Sequence, residues 1–148
     1  MATENKLTIF IVEDDEFYQE NLRHHLETNF DCHLKTFRSG EACLDSLFLK
    51  PDIVFLDYAL NDDVSGAING MEVLTKITKK NPNAKVVMVS GYNKDKEIKN
   101  KLLEAGAYDF IAKDEKTLNN ISSIVQKSMA GNQRAKSTDT GFAGVFLF

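Results

Sequence analysis

Five short apolar runs, each followed by a segment with helical spacing, constrain this chain more than any other feature of its sequence. The runs lie at about 7–12, 32–37, 52–57, 85–90 and 108–112. Alternation of strand-length runs with amphipathic helices marks βαβ units, which build a parallel sheet covered by helices on both faces. The third and fourth runs, Ile53-Val54-Phe55-Leu56 and Val86-Val87-Met88-Val89, are apolar without alternation. That is expected of strands buried on both faces, so these two are predicted to be central.

Between the runs, residues 15–29 carry Tyr18, Leu22, Leu26 and Phe30 at helical spacing. Ser39 is placed to cap a second helix carrying Ala42, Cys43 and Leu47, with Pro51 ending it. A third helix, from about Gly70 to Lys80, puts Val73, Leu74 and Ile77 on one face, and Asn81-Pro82-Asn83 stops it. The fourth is predicted over 94–105, with Ile98, Leu102, Leu103 and Ala105 inward and Gly106 at its C-terminal cap. A fifth, about 115–129, carries Leu118, Ile121, Ile124 and Val125.

The chain of 148 residues fits one domain, 1–129, followed by a tail or linker, 130–148, rich at first in Gly, Asn, Gln, Ser and Thr. The apolar end from Gly141 to Phe148 has three open readings: packing on the domain, pairing with another chain's sheet edge, or the stump of a longer chain. A net charge of −4 leaves no electrostatic footprint for nucleic acid. Apolar runs fall well short of the roughly 20 residues that a membrane span requires. Two cysteines, Cys32 and Cys43, without CxxC spacing and without a secretory leader, point to free thiols and a cytoplasmic location.

Chemistry is expected where the strands end. In open parallel α/β sheets ligands bind beyond the carboxyl ends of the strands, so polar residues closing successive strands share one crevice. Here those residues are Glu13-Asp14-Asp15, Asp57, Ser90 and Lys113. Taken singly each has a plain structural reading: a strand-end Asp is usually a helix cap, a Ser a turn hydroxyl, a Lys a solvated charge. Four such signals at four successive ends outweigh those readings, because buried charges need partners or a metal. His24 and His25 are adjacent, so a helix points them in different directions, and with His33 they read as surface residues.

Order and spacing of Ile11-Val12-Glu13-Asp14-Asp15, Leu56-Asp57, Val89-Ser90-Gly91 and Gly106-Ala107-Tyr108-Asp109-Phe110-Ile111-Ala112-Lys113 resemble the receiver domains of two-component response regulators, over about residues 6–128. The resemblance implies a flavodoxin-like, doubly wound five-stranded parallel sheet of order 2-1-3-4-5. It implies that Asp57 is the phosphoacceptor, a carboxylate nucleophile that forms an acyl phosphate. Magnesium would be held by Asp14 and Asp57 directly, by Glu13 through water and by the Ala59 carbonyl, hard oxygen ligands suited to Mg²⁺. Ser90 and Lys113 would bind the phosphoryl oxygens, and Ser90 with Phe110 would form the switch. Three clustered acids should raise at least one pKa. Implied partners are a histidine kinase or phosphotransfer protein and a downstream protein docking on helix four, strand five and helix five, the chain being a monomer or weak dimer.

Two departures from the family pattern stand out. Asp114 follows Lys113 where proline is usual, which removes the cis turn that helps aim the lysine. The segment Asn61-Asp62-Asp63-Val64-Ser65-Gly66 looks like an insertion overhanging the site, with Tyr92 and Ala59 flanking the pocket. Three functions are weighed: a phosphorylated receiver that modifies itself without turning over substrate, a pseudo-receiver acting only as a protein-binding module, and a haloacid-dehalogenase-type hydrolase. The last wants Asp-x-Asp after the first strand, and only Glu13-x-Asp15 is present. Whether the chain is a complete receiver or a fragment of a larger regulator stays open.

Overall fold

The computed structural model describes residues 6–60, 66–91 and 96–138, with side chains described as far as residue 131. Five strands form one sheet: β1 (Thr8–Val12), β2 (His33–Phe37), β3 (Ile53–Asp57), β4 (Lys85–Ser90) and β5 (Asp109–Ala112). All neighbouring pairs are parallel and the order is β2-β1-β3-β4-β5. This is the flavodoxin-like order that the family resemblance implies. The connecting helices are α1 (Glu16–Asn29), α2 (Gly40–Asp45), α3 (Gly70–Lys80), α4 (Lys96–Glu104) and α5 (Thr117–Thr138).

Within the uniformly apolar strands the period-two geometry sorts side chains to two cores. Phe10, Val12, Val54, Leu56, Val86 and Met88 meet Cys43 of α2, Val73, Leu74 and Ile77 of α3 and Leu102 of α4. On the opposite face Ile9, Ile11, Ile53, Phe55, Val87 and Val89 meet Leu22 and Leu26 of α1 and Ile121 and Val125 of α5. Most of these side chains are wholly buried, and burial of each stabilises the fold by about 1.5–3 kcal/mol. The sheet core therefore carries the stability and frees its carboxyl edge for polar residues.

Local chemistry sets most boundaries. Asp15 caps α1 by accepting from the Tyr18 amide, Ser39 caps α2 by accepting from Ala42, and Asn69 with Glu72 forms a full capping box on α3. Gly106 closes α4 at φ 112°, while the amides of Gly106 and Ala107 bond back to Leu103 and Leu102 in a Schellman motif.

Several expectations need correction. The second helix does not run to Pro51: α2 ends at Asp45, Leu47–Leu49 forms a short 3-10 turn, and Lys50 takes a left-handed conformation at φ 56°. Right-handed helical conformation is disfavoured for the residue before a proline, so the helix does not continue through Lys50. Leu103, expected inward, is 37% exposed, and Ala42 and Leu118 are exposed as well, because only one residue per turn of α4 and of early α5 reaches the sheet. Helix α5 continues past the expected stop near 129, since Met129, Gln133, Arg134, Ala135 and Lys136 are good helix formers that outweigh Gly131 and Asn132. The first residues of the expected fourth helix, Tyr92, the segment 61–65 and the apolar end from 139 onward lie outside the described residues.

Gly70 ties α3 to the strand that carries Asp57. A Cβ there would lie 2.7 Å from the carbonyl oxygens of both Asp57 and Tyr58, backbone atoms that cannot step aside. Gly70→Ala should therefore destabilise the domain by about 1–3 kcal/mol in denaturant unfolding, although alanine is the better helix former. An unchanged unfolding midpoint would show that the approach is looser than this.

Candidate functional site

Parallel register brings the four strand-end signals to one crevice. Asp57 stands opposite Val89 and Ser90 opposite Ala112, while the Lys113 amide donates to the Ser90 carbonyl at 2.9 Å. The Tyr58 amide donates to the Val89 carbonyl at 2.9 Å, joining the β3 and β4 ends in the same way. Backbone pairing alone thus fixes where the Asp57, Ser90 and Lys113 side chains start.

One carboxylate oxygen from each of Glu13, Asp14 and Asp57 lies within 4.8 Å of the others. Glu13 is 2% exposed and Asp57 4%, whereas Asp14 is half-buried. The Lys113 ammonium reaches between the two buried acids, 3.1 Å from Glu13 Oε1 and 3.2 Å from Asp57 Oδ1. Asp57 Oδ1 also accepts from the Ala59 amide at 3.1 Å, and Glu13 Oε2 accepts from the Asp15 amide at 3.1 Å.

Electrostatics follow from this packing. Burial, and then the neighbouring Asp57 charge, push the Glu13 carboxyl from 4.5 up to about 7, against the pull of the Asp15 amide and Lys113. The expectation that clustered acids would raise at least one pKa is met at Glu13. Burial works against the charge on Lys113, but Asp57 and Glu13 together outweigh it and hold the ammonium above its ordinary pKa. At neutral pH one cation thus serves two buried acids, with Asp14 beside them.

All the predicted polar residues reach the crevice edge. Glu13, Asp14, Asp57 and Lys113 form its charged cluster, and Ser90, wholly buried, closes β4 beside them. Ala59 enters through its amide. Phe110 on β5, in register with Met88 on β4, is partly buried against the α2–α4 core. Asp15 caps α1, the plain structural reading of a strand-end Asp. The histidines lie apart: His24 and His33 are exposed, and His25 Nε2 pairs with the Ser122 hydroxyl at 2.7 Å.

Three residues at the site were not singled out from sequence for a role there. Gln19 is 7% exposed, and its amide nitrogen donates to the carbonyls of Glu13 at 3.0 Å and Phe37 at 3.1 Å, holding the acid-bearing loop to the end of β2. Tyr18, read as a core position, stacks its ring 4.4 Å from the Lys113 ammonium. Thr117 hydrogen-bonds the chain on both sides of Lys113. A polar residue on the inner side of α1 was the one available signal for Gln19, and nothing local marked its partners.

Fold and site together define the class first: a flavodoxin-like α/β domain with an acid-and-lysine pocket at the carboxyl edge of its sheet. The response regulator receiver domain model matches residues 9–126. Among curated relatives, a cyclic di-GMP phosphodiesterase of Thermotoga maritima is 36% identical over 107 residues, which is 72% of this chain and 27% of that protein. The response regulator protein VraR of Staphylococcus aureus is 28% identical over 127 residues, 84% of this chain and 57% of that protein. The chain thus spans much less than the full length of these relatives. Of solved structures, the response regulator domain of Thermotoga maritima CheB superposes with a TM-score of 0.72 at 22% identity, covering 84% of this chain and 97% of that one. The BeF3-activated DrrB receiver domain gives 0.72 at 25% identity, covering 84% and 98%. The chain belongs to the response regulator receiver domain family of two-component signalling. Among the described residues no helix is long and apolar enough to cross a membrane.

Proposed function

We propose that this receiver accepts a phosphoryl group on Asp57 from a histidine kinase or a phosphotransfer protein, and that the added charge switches a protein-binding face. The observation that carries the reading is the Lys113 ammonium bridging Glu13 and Asp57 at 3.1 and 3.2 Å inside a largely buried pocket. An Asp57 oxygen attacks phosphorus, an O–P bond forms, and the donor's bond to phosphorus breaks with the electron pair leaving on the donor. Lys113 sets a point cation beside the oxygens that gather charge, and the Ser90 hydroxyl is a donor at the same strand edge. The Ala59 amide and the Lys113 ammonium hold the same Asp57 oxygen, Oδ1.

The residues fit the family's magnesium. Three carboxylates within 4.8 Å, one of them raised to about 7, are a donor set whose mutual repulsion a hard divalent cation relieves. Glu13, Asp14 and Asp57 would hold it, with the Ala59 carbonyl completing the set. When bound it supplies neutralising charge for the phosphoryl oxygens.

Phosphorylation adds about −1.5 to −2 charges and three acceptor oxygens. In this reading Ser90 and Lys113 turn toward them, and Phe110 repacks against the core it already touches, without a phenolic hydroxyl. Carrying a two-state equilibrium from mostly off to mostly on takes roughly 5.5 kcal/mol of differential stabilisation. The downstream partner docks on α4, β5 and α5, where Leu103 and Leu118 are 37% exposed and Tyr108 48%. Isolated apolar residues on a surface are ordinary, but one on α4, one on α5 and Tyr108 just before β5 together suit a protein partner.

Incubation with acetyl phosphate and Mg²⁺, read by intact mass, should give one phosphoryl adduct that is absent in Asp57→Asn. The pseudo-receiver reading draws its support from Asp114 and predicts neither an adduct nor binding of beryllofluoride. Failure of the unmodified chain in both assays would replace the phosphorylated reading with that one.

A further inference from the structure

Lys113 keeps its aim although the residue after it is Asp114 and the Lys113–Asp114 peptide bond, like every other described, is trans. Two side chains from different helices account for this. Thr117 is 3% exposed, and its hydroxyl oxygen accepts from the Asp114 amide at 2.8 Å while lying 2.7 Å from the Ala112 carbonyl and 2.8 Å from the Asp114 carbonyl. Ala112 precedes Lys113 and Asp114 follows it, so one hydroxyl pins the backbone on both sides of the lysine. Proline has no amide hydrogen, so the bond from position 114 to Thr117 requires a residue other than proline there, as aspartate is. The Asp114 carboxylate adds an Asx turn by accepting from the Lys116 amide at 2.7 Å.

Tyr18 fixes the far end of the same side chain. Its ring centroid lies 4.4 Å from the Lys113 ammonium, within cation–π range. The Asp15 cap that opens α1 accepts from the Tyr18 amide, so the turn presenting Asp14 also places the ring. Tyr18's hydroxyl is near that of Thr117 but buried, with no hydrogen bond of acceptable geometry. The ring, and not the hydroxyl, is what touches Lys113.

We infer that Tyr18 and Thr117 are positioning residues for Lys113, a ring beneath the ammonium and a hydroxyl clasp on its backbone, doing together what the family's proline turn does elsewhere. The inference rests on the receiver reading for its effect on rate, though not for the geometry itself. In Tyr18→Leu the rate of adduct formation from acetyl phosphate should fall roughly 3- to 30-fold, the range a cation–π contact supports, whereas Tyr18→Phe should match the unmodified chain. Thr117→Val should slow the reaction and Thr117→Ser should restore it.

A second readout needs no phosphorylation. The ring-current shift of the Lys113 Hε resonances in NMR spectra should be present in the unmodified chain and in Tyr18→Phe, and absent in Tyr18→Leu. If Tyr18→Leu and Thr117→Val react at the unmodified rate while folded, or if Thr117→Ser is as slow as Thr117→Val, the positioning role is overturned. Should Tyr18→Leu fail to fold, the valine and serine pair decides alone. A chain that takes up no phosphoryl group at all refutes the receiver reading, while the Hε shift still judges where Tyr18 holds the lysine.

Discussion

Replacing Lys113 by alanine should slow phosphoryl uptake by about 100-fold or more, the usual effect of removing one preorganised charge from a buried reacting centre. Glu13 and Asp57 share this ammonium, so the substitution leaves two buried acids facing each other with no described cation between them. Truncating one member of a buried charged cluster costs several kcal/mol when desolvation is complete. Lys113 is 23% exposed, so a discounted loss of about 1–2 kcal/mol at pH 8 is expected. At pH 5 the loss should be smaller, because Glu13 with a pKa near 7 is then protonated and no longer needs the counter-charge. Initial rates by mass spectrometry and urea unfolding at both pH values test this. A rate within twofold of the unmodified chain, or an equal loss at the two pH values, would remove Lys113 from the role given it.

Without divalent metal, the unmodified domain should lose stability as pH rises from 5 to 8, relative to a Glu13→Gln variant. Glu13 is raised from 4.5 to about 7, chiefly by burial and next by Asp57. Between those values the folded chain holds a proton that the unfolded chain has released, so this group's stabilisation is full below pH 4.5 and lost as pH rises through about 7. Lys113, whose raised pKa lies above its ordinary 10.5, adds no slope in that window. The difference should be on the order of 2 kcal/mol, or about 4–8 °C in Tm for a domain of this size. Millimolar Mg²⁺ should raise Tm, and by more at pH 8 than at pH 5, because it is linked to the ionised form. Parallel pH profiles for the two proteins would mean that another group titrates. A Tm indifferent to magnesium at pH 8 would defeat the metal assignment.

Much of this architecture was legible in the sequence because its determinants are local. Uniform apolarity of Ile53 to Leu56 and Val86 to Val89 marks strands buried on both faces, and all eight residues are buried in the two cores or lie at their centre. Asp15 and Ser39 announce helix starts because a cap bonds to an amide only three residues away. The site followed from one topological rule applied to strand ends, which is why Glu13, Asp14, Asp57, Ser90 and Lys113 could be grouped although 113 − 13 = 100 positions separate the outermost two.

Errors arose where a choice depended on distant neighbours. Leu103 and Leu118 have core-like character but face outward, because the inward turn positions are already filled by Leu102 and Ile121. Helix periodicity says which residues share a face without saying how wide a stripe the sheet will cover.

What amino-acid order determined here is periodicity, caps and the polar residue closing each strand, since all of these act through bonds spanning a few positions. Tertiary structure alone decided that the Gln19 amide clasps two strand ends, that the Tyr18 ring lies beneath Lys113, and that Thr117 stands in for a missing proline. Those contacts join elements far apart along the chain, and their geometry exists only once α1 and α5 have packed on the same face of the sheet.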